Sequence, residues 1–240
     1  MGVAGHLGYR AGTAEAMHAL VGEQDSGRRV RAAFAHALGH APFRAGYGQD
    51  VWVLHQVFAD VRDGYFVDLG SADGVEGSNT KALEERGWTG LCIDPFPRNM
   101  RTRRCTVIRE AVDSEAGREI AFQRPGSVSG GLVSYAGWWV SDEDQSRTVR
   151  VTTTTLADVL DAHGAPEFIH YMNVDIEGAE YAALQGFPFD RYRVGAITVE
   201  HNNVEPHRQR IRALLERHGY RLEWAIRDQD WYRPAAASAP

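Results

Sequence analysis

Five short apolar stretches of this chain each run into an acidic residue, with helix-like segments between them. Phe66-Val67 meets Asp68, Leu91-Cys92-Ile93 meets Asp94, and a stretch from Thr106 to Ile108 leads through Ala111-Val112 to Asp113. Phe168 to Val174 meets Asp175, and Val194 to Val199 meets Glu200. Asp50 to Val61 carries Val51, Leu54, Val57 and Phe58 on one helical face, and Asn79 to Arg86 is stopped by Gly87. Thr155 and Asp158 resemble a capping box for a helix to Ala162, Ala179 to Gln185 is helical, and the helix bearing Val204, Ile211, Leu214 and Leu215 stops at Gly219. Strands alternating with helices predict an α/β fold, a mostly parallel sheet with helices on both faces. Tyr220 to Ile226 and Trp231-Tyr232 predict a closing antiparallel hairpin. Ligands of such sheets bind beyond the carboxyl ends of the strands, so the acidic tips are the residues to inspect.

At 240 residues the chain can bury one sizeable core without metals or disulfides. The expected division is a helical approach over 1–46, with helices at Thr13 to Val21 and Arg28 to Leu38, a main domain over 47–233, and a disordered Ala- and Pro-rich tail over 234–240. Residues 120–151 read as irregular, with a β-prone end from Val149. The net charge of -6 argues against a nucleic-acid partner. No apolar run approaches the ~20 residues of a membrane span, and the start lacks a secretory pattern. Two cysteines, Cys92 and Cys105, are too few for a disulfide framework, which points to a reducing, cytoplasmic setting. Lys81 is the sole lysine among 26 basic residues, a codon bias that suggests a GC-rich bacterial genome.

The first acidic strand continues as Leu69-Gly70-Ser71-Ala72-Asp73-Gly74. Ala72 stands where a dinucleotide fingerprint needs its second glycine, and a P-loop lysine pattern is missing, so a phosphate cradle is poorly supported. Gly70 and Gly74 are read as letting the backbone pass close to a cofactor with a charged amino-acid end, and Asp68 as holding its ammonium group. Asp94 would accept hydrogen bonds from ribose hydroxyls, and Asp113, after Ala111 and Val112, would read an adenine amino group. In this order the motifs describe an S-adenosylmethionine (SAM) site.

These residues carry a resemblance. Tyr47-Gly-Gln-Asp50, Gly64 to Gly74, Ser78-Asn79-Thr80, Gly87 to Pro95, Asn173-Val-Asp-Ile-Glu-Gly-Ala-Glu180 and Val199-Glu200 resemble the FkbM family of SAM-dependent methyltransferases. The resemblance implies a Rossmann-like class I methyltransferase with a seven-stranded sheet, SAM as donor, and a hydroxyl acceptor on a sugar, polyketide or similar metabolite. It also implies that Gln49, Ser78 and Asn79 lie around the methionine end of SAM, and that Asp94 and Pro95 lie at the ribose.

Alkyl hydroxyls are weak nucleophiles, so such a transfer needs a general base or an acidifying metal. Asp175, Glu200 and His201 end neighbouring strands and are the expected ligands of one cation, Mg²⁺ or Mn²⁺, as in some similar class I enzymes. Asp175 and His201 are the expected catalytic residues. A metal-free alternative makes His201 the base for a polyketide or other small metabolite. Glu177 and Glu180 read first as complements of a helix N-terminus, with Glu177 also a substrate candidate. Tyr135, Trp138 and Trp139 offer rings on which a sugar or oligosaccharide acceptor would stack, or a dimer contact. A homodimer is a possible assembly. The competing classes are a non-catalytic SAM-binding regulator and a nicotinamide oxidoreductase, the latter weakened by the missing glycine.

Overall fold

The structure, a computed structural model, describes residues 43–123 and 148–235. The expected helices before residue 43, the aromatic residues Tyr135, Trp138 and Trp139, and the tail from 236 lie outside the described residues. The first element, α1, spans Gln49–Val51 and continues as a wider π-helical turn over Trp52–Val57. The buried Asp50 carboxylate accepts the backbone N–H groups of Arg44 (2.7 Å) and Ala45 (3.2 Å), folding the preceding loop back over the helix. Then follow β1 (Tyr65–Leu69), α2 (Lys81–Glu85), β2 (Thr89–Ile93), β3 (Thr106–Ile108) and β4 (Ala111–Val112). Beyond them lie β5 (Glu119–Gln123), β6 (Thr148–Thr154), α3 (Leu156–Ala162), β7 (Phe168–Val174) and α4 (Glu180–Gln185). The chain closes with β8 (Arg193–Glu200), α5 (Glu205–Arg217), β9 (Tyr220–Ile226) and β10 (Gln229–Pro234).

The main sheet has seven strands in the order β3-β2-β1-β7-β8-β10-β9. β1, β2, β3, β7 and β8 run parallel, and β10 runs antiparallel to both β8 and β9. This is the α/β arrangement with a C-terminal antiparallel hairpin that the sequence pattern predicts, and the seven-stranded Rossmann-like sheet that the resemblance implies. β10 runs through Pro234, one residue into the stretch read as tail. Among the described residues, no helix is long and apolar enough to cross a membrane.

Alternation along each strand divides the core into two layers. Val67, Leu69, Leu91, Ile93, Met172, Val174, Ile197 and Val199 join the cluster that includes α3, α4 and α5. Phe66, Cys92, Tyr171, Ala196 and Trp231 point the other way, toward Trp52 and Leu54 of α1 and Leu83 of α2. The Trp52 and Trp231 rings lie 5.0 Å apart, which docks α1 on the last strand. The expected cap forms: Thr155 Oγ1 accepts the Asp158 N–H at 3.1 Å.

Two features differ from expectation. The stretch read as irregular contains β5, which pairs antiparallel with β6, while β4 pairs parallel with the far end of β6. Alternation explains it: Ile120 and Phe122 of β5, with Val149 and Val151 of β6, share one apolar cluster. Second, Cys92 and Cys105 form a disulfide. They meet because β2 and β3 are parallel neighbours and Cys105 directly precedes β3. The inference from cysteine count to a reducing compartment therefore loses its basis.

The stretch between β2 and β3 also carries the main polar anchor of the fold. The buried Arg103 guanidinium donates to Glu84 (3.1 Å), Thr80 Oγ1 (2.8 Å), Ser78 Oγ (3.2 Å) and the Gly74 carbonyl (3.2 Å). Lys81 meets the same Glu84 carboxylate at 3.1 Å. Removing one member of a buried pair leaves its partner's charge uncompensated. Glu84→Ala is therefore expected to cost about 3–5 kcal/mol, read as a lowered urea midpoint; a loss below about 1 kcal/mol would show the network to be peripheral.

Candidate active site

Where β1 and β7 lie side by side, the chain leaves the sheet in different directions and a crevice opens at their carboxyl ends. The Asp175 N–H donates to the Leu69 carbonyl at 3.0 Å, and the Gly70 N–H to the Ile93 carbonyl at 2.9 Å. Gly70 sits at φ +85°, and a Cβ there would lie 1.7 Å from the Asp175 carbonyl oxygen. Only glycine allows this approach. The loop after it borders a cavity of about 330 Å³ at the carboxyl end of the sheet.

Asp68, Gly70, Ser71, Ser78, Asn79, Asp94, Pro95, Ala111 and Val112 all line this cavity, as does Gln49. Asp68 does so from behind: its oxygens accept from Thr80 Oγ1 (2.5 Å) and Asn173 Nδ2 (3.0 Å), and Thr198 Oγ1 donates to Asn173 at 2.9 Å. Burial pushes the Asp68 carboxyl above its ordinary range. Asp94 accepts the backbone N–H groups of Ala72 (3.0 Å) and Phe96 (2.7 Å), tying the two loops together at the cavity edge. Gln49 Nε2 donates to Gln229 Oε1 at 2.5 Å, closing the wall between α1 and β10.

Two expected cofactor residues do not line the cavity. Gly74 is needed for packing, because a Cβ there would lie 2.7 Å from Met100 Sδ and 3.1 Å from Arg103 Cγ. Asp113 is turned aside: its carboxylate accepts the Ser114 N–H (2.6 Å) and pairs with Arg118 (3.3 Å). In that part of the wall stand Glu110, Ala111 and Val112, with Phe96 and Phe122, whose rings lie 5.3 Å apart. Phe96 and Phe122 escaped the sequence reading; the alternation of β5 is the signal that finds Phe122.

The acidic group at the β7 and β8 tips also differs from expectation. Asp175, Glu177 and Glu200 come together, each offering a carboxylate oxygen within 4.8 Å of the others. All three line the cavity. Burial pushes the Asp175 and Glu200 carboxyls well above the usual range, and for Glu200 the neighbouring charge of Asp175 adds to it. His201 does not join them. It is 1% exposed, its Nδ1 accepts the Asn203 N–H at 3.2 Å, and its Nε2 faces Asp230 at 3.6 Å. A short backbone turn after β8 swings the ring behind the sheet tip, so the expected Asp175–Glu200–His201 set is replaced by Asp175–Glu177–Glu200. Asn202 instead donates to Glu200 at 2.9 Å. Glu177 reaches the group because its backbone is left-handed, φ +58°, which is uncommon for a residue other than glycine. Its neighbour Glu180 is fully buried and serves the backbone: it accepts the N–H groups of Ile176 and Gly178, both at 2.9 Å.

The strand order, with the hairpin strand set between β8 and β9, and a cavity at the β1/β7 tips are consistent with a Rossmann-like methyltransferase fold. The sequence model of the methyltransferase FkbM domain matches residues 68–222, and the chain belongs to that family. Searches of curated proteins and of solved structures returned no match. The matched stretch begins within β1 and ends within β9, so Gln49 and Gln229 lie outside it.

Gly70→Ala combines an unfavourable φ with a backbone collision. It is expected to cost about 3 kcal/mol or more, seen as a large fall in the thermal midpoint or as insoluble protein. A variant that melts within about 2 °C of the parent would overturn the packing account.

Proposed function

We propose that this methyltransferase is SAM-dependent and transfers a methyl group to a hydroxyl of a sugar, oligosaccharide or glycosylated metabolite, assisted by a divalent cation. The observation that carries the reading is the convergence of Asp175, Glu177 and Glu200 on one side of the cavity. Three carboxylates so close together repel one another and are stabilised by a cation. An all-oxygen donor set suits Mg²⁺ or Mn²⁺.

The cavity residues also fit SAM. Ser71 Oγ and Asn79 Oδ1 are buried without a hydrogen-bond partner, a costly state that a polar ligand would relieve. Asp94 would take the ribose, and the apolar wall with Phe96 and Phe122 would take the purine. Ser71, Ser78, Asn79 and Gln49 would surround the amino-acid end. When bound, SAM supplies an electrophilic methyl group. Tyr47, Gln229 and Glu177 present hydrogen-bonding groups suited to a polyhydroxylated acceptor. The Asp175–Glu200 carboxyls would orient the acceptor hydroxyl and receive its proton, and exclusion of water supports alignment. The His201-base alternative is weakened because its ring turns toward Asp230.

The test is a tritiated-SAM assay over a panel of sugars and cell extract, with Mg²⁺, with EDTA, and with Mg²⁺ restored. Label should enter an acceptor, fall on chelation and return with Mg²⁺. Asp175→Asn should reduce incorporation by about 10²-fold or more. Activity that survives full chelation would remove the cation and leave the carboxyl pair as a base. SAM binding without transfer to any acceptor would favour the regulatory class.

A further inference from the structure

The Asp175-Ile176-Glu177-Gly178-Ala179-Glu180 segment contains one carboxylate that never reaches the cavity. Glu180 is 0% exposed. Its Oε1 accepts the N–H of Ile176 and of Gly178, both at 2.9 Å, and its Oε2 accepts Gly178 N–H at 3.1 Å. The sequence reading made Glu180 a complement of the helix N-terminus. However, Ile176 and Gly178 both precede the Ala179 cap of α4, so the carboxylate gathers the turn before the helix.

That turn is costly. Glu177 and Gly178 both have positive φ, +58° and +107°. Glycine adopts this region freely, but a glutamate held there carries strain and persists only when its surroundings demand it. The demand comes from either side of Glu177, through the two N–H groups fixed on one buried carboxylate. The carboxylate is itself held from outside the segment. His207, in the first turns of α5, donates from Nε2 to Glu180 Oε2 at 2.8 Å, with its side chain 12% exposed.

We propose that Glu180, seated by His207, is a positioning residue: by clamping the Ile176–Gly178 turn it aims the Glu177 carboxylate at Asp175 and Glu200. This rests on the reading of those three carboxylates as the reacting end. It explains the spacing of the segment, in which Asp175 and Glu177 serve the cavity while Glu180 shapes the backbone between them. It also gives α5, which contributes no cavity-lining residue, a part in building the site.

Two measurements on the full chain test it, neither needing the acceptor. The first is the order of melting of Glu177→Gly and Glu177→Gln, both lacking the charge. With the clamp intact the glycine variant should melt higher, by about 2–4 °C for roughly 1 kcal/mol of relieved strain. On a Glu180→Gln or His207→Phe background the order should reverse, because glycine then contributes only its greater unfolded-state freedom. An unchanged order in folded variants would overturn the clamp. The second is Mn²⁺ affinity by electron paramagnetic resonance, beside SAM affinity by calorimetry. Glu180→Gln and His207→Phe should weaken Mn²⁺ at least tenfold with SAM affinity within twofold, and His207→Gln, which keeps a donor, should recover most of it. Unchanged Mn²⁺ affinity in both disruptive variants would also overturn it. A parent protein that binds no Mn²⁺ would sink the cation reading alone, and the melting order would still decide the clamp. If Glu180→Gln fails to fold, the His207 pair carries both readouts.

Discussion

The hydrogen bond from Asp175 N–H to the Leu69 carbonyl holds the tips of β1 and β7 together where the connections diverge. Everything at the cavity is placed relative to it. On one side the chain turns at Gly70 into the loop whose Ala72 N–H is received by Asp94. On the other side Asp175 begins the turn that brings Glu177 beside it, and Glu200 arrives from the adjacent parallel strand. The contact is tight enough that no side chain fits on Gly70. The geometry of the site is therefore set by main-chain packing before any polar group is considered.

Behind that contact runs a buried polar chain. Tyr171 and Thr198 hydroxyls lie 2.7 Å apart, Thr198 donates to Asn173, Asn173 to Asp68, and Thr80 links Asp68 to Arg103. Each member sits on the same sheet face, between apolar residues. Such a chain is favourable only when every group is satisfied, and then it selects one register among several that an apolar face alone would tolerate. Arg103 extends it to Gly74 and Ser78, so the loop bordering the cavity and the sheet centre are held by one set of hydrogen bonds.

The alternation of the strands, the capping at Thr155 and the closing hairpin were legible because each has a local cause: side-chain periodicity, a hydroxyl one turn before a polar residue, a turn between two apolar runs. β5 was equally periodic, but Glu119 and Gln123 at its ends masked it. Within the site, Asp175, Glu200 and Asp94 were legible as acidic tips of apolar strands. His201 was misplaced because a strand pattern says which residue comes next and not which way the chain turns; the ring swings to Asp230. Asp113 and Gly74 look alike in sequence whether they face a ligand or pack against Arg118 or Met100, and only the fold distinguishes these. Glu177 was the converse case. Its proximity to Asp175 depends on a left-handed residue, and no local rule assigns that conformation to glutamate.

The hydrogen bond between Gln49 and Gln229 joins residues separated by 180 positions. Both line the cavity. During synthesis the first strands and the Gly70 loop emerge well before β10, yet the wall they share with α1 stays unfinished until Gln229 follows. The cavity is thus completed by one of the latest-made elements of the sheet. The crevice at the β1 and β7 tips cannot form before β7 has been made, and its wall between α1 and β10 closes only as the hairpin docks.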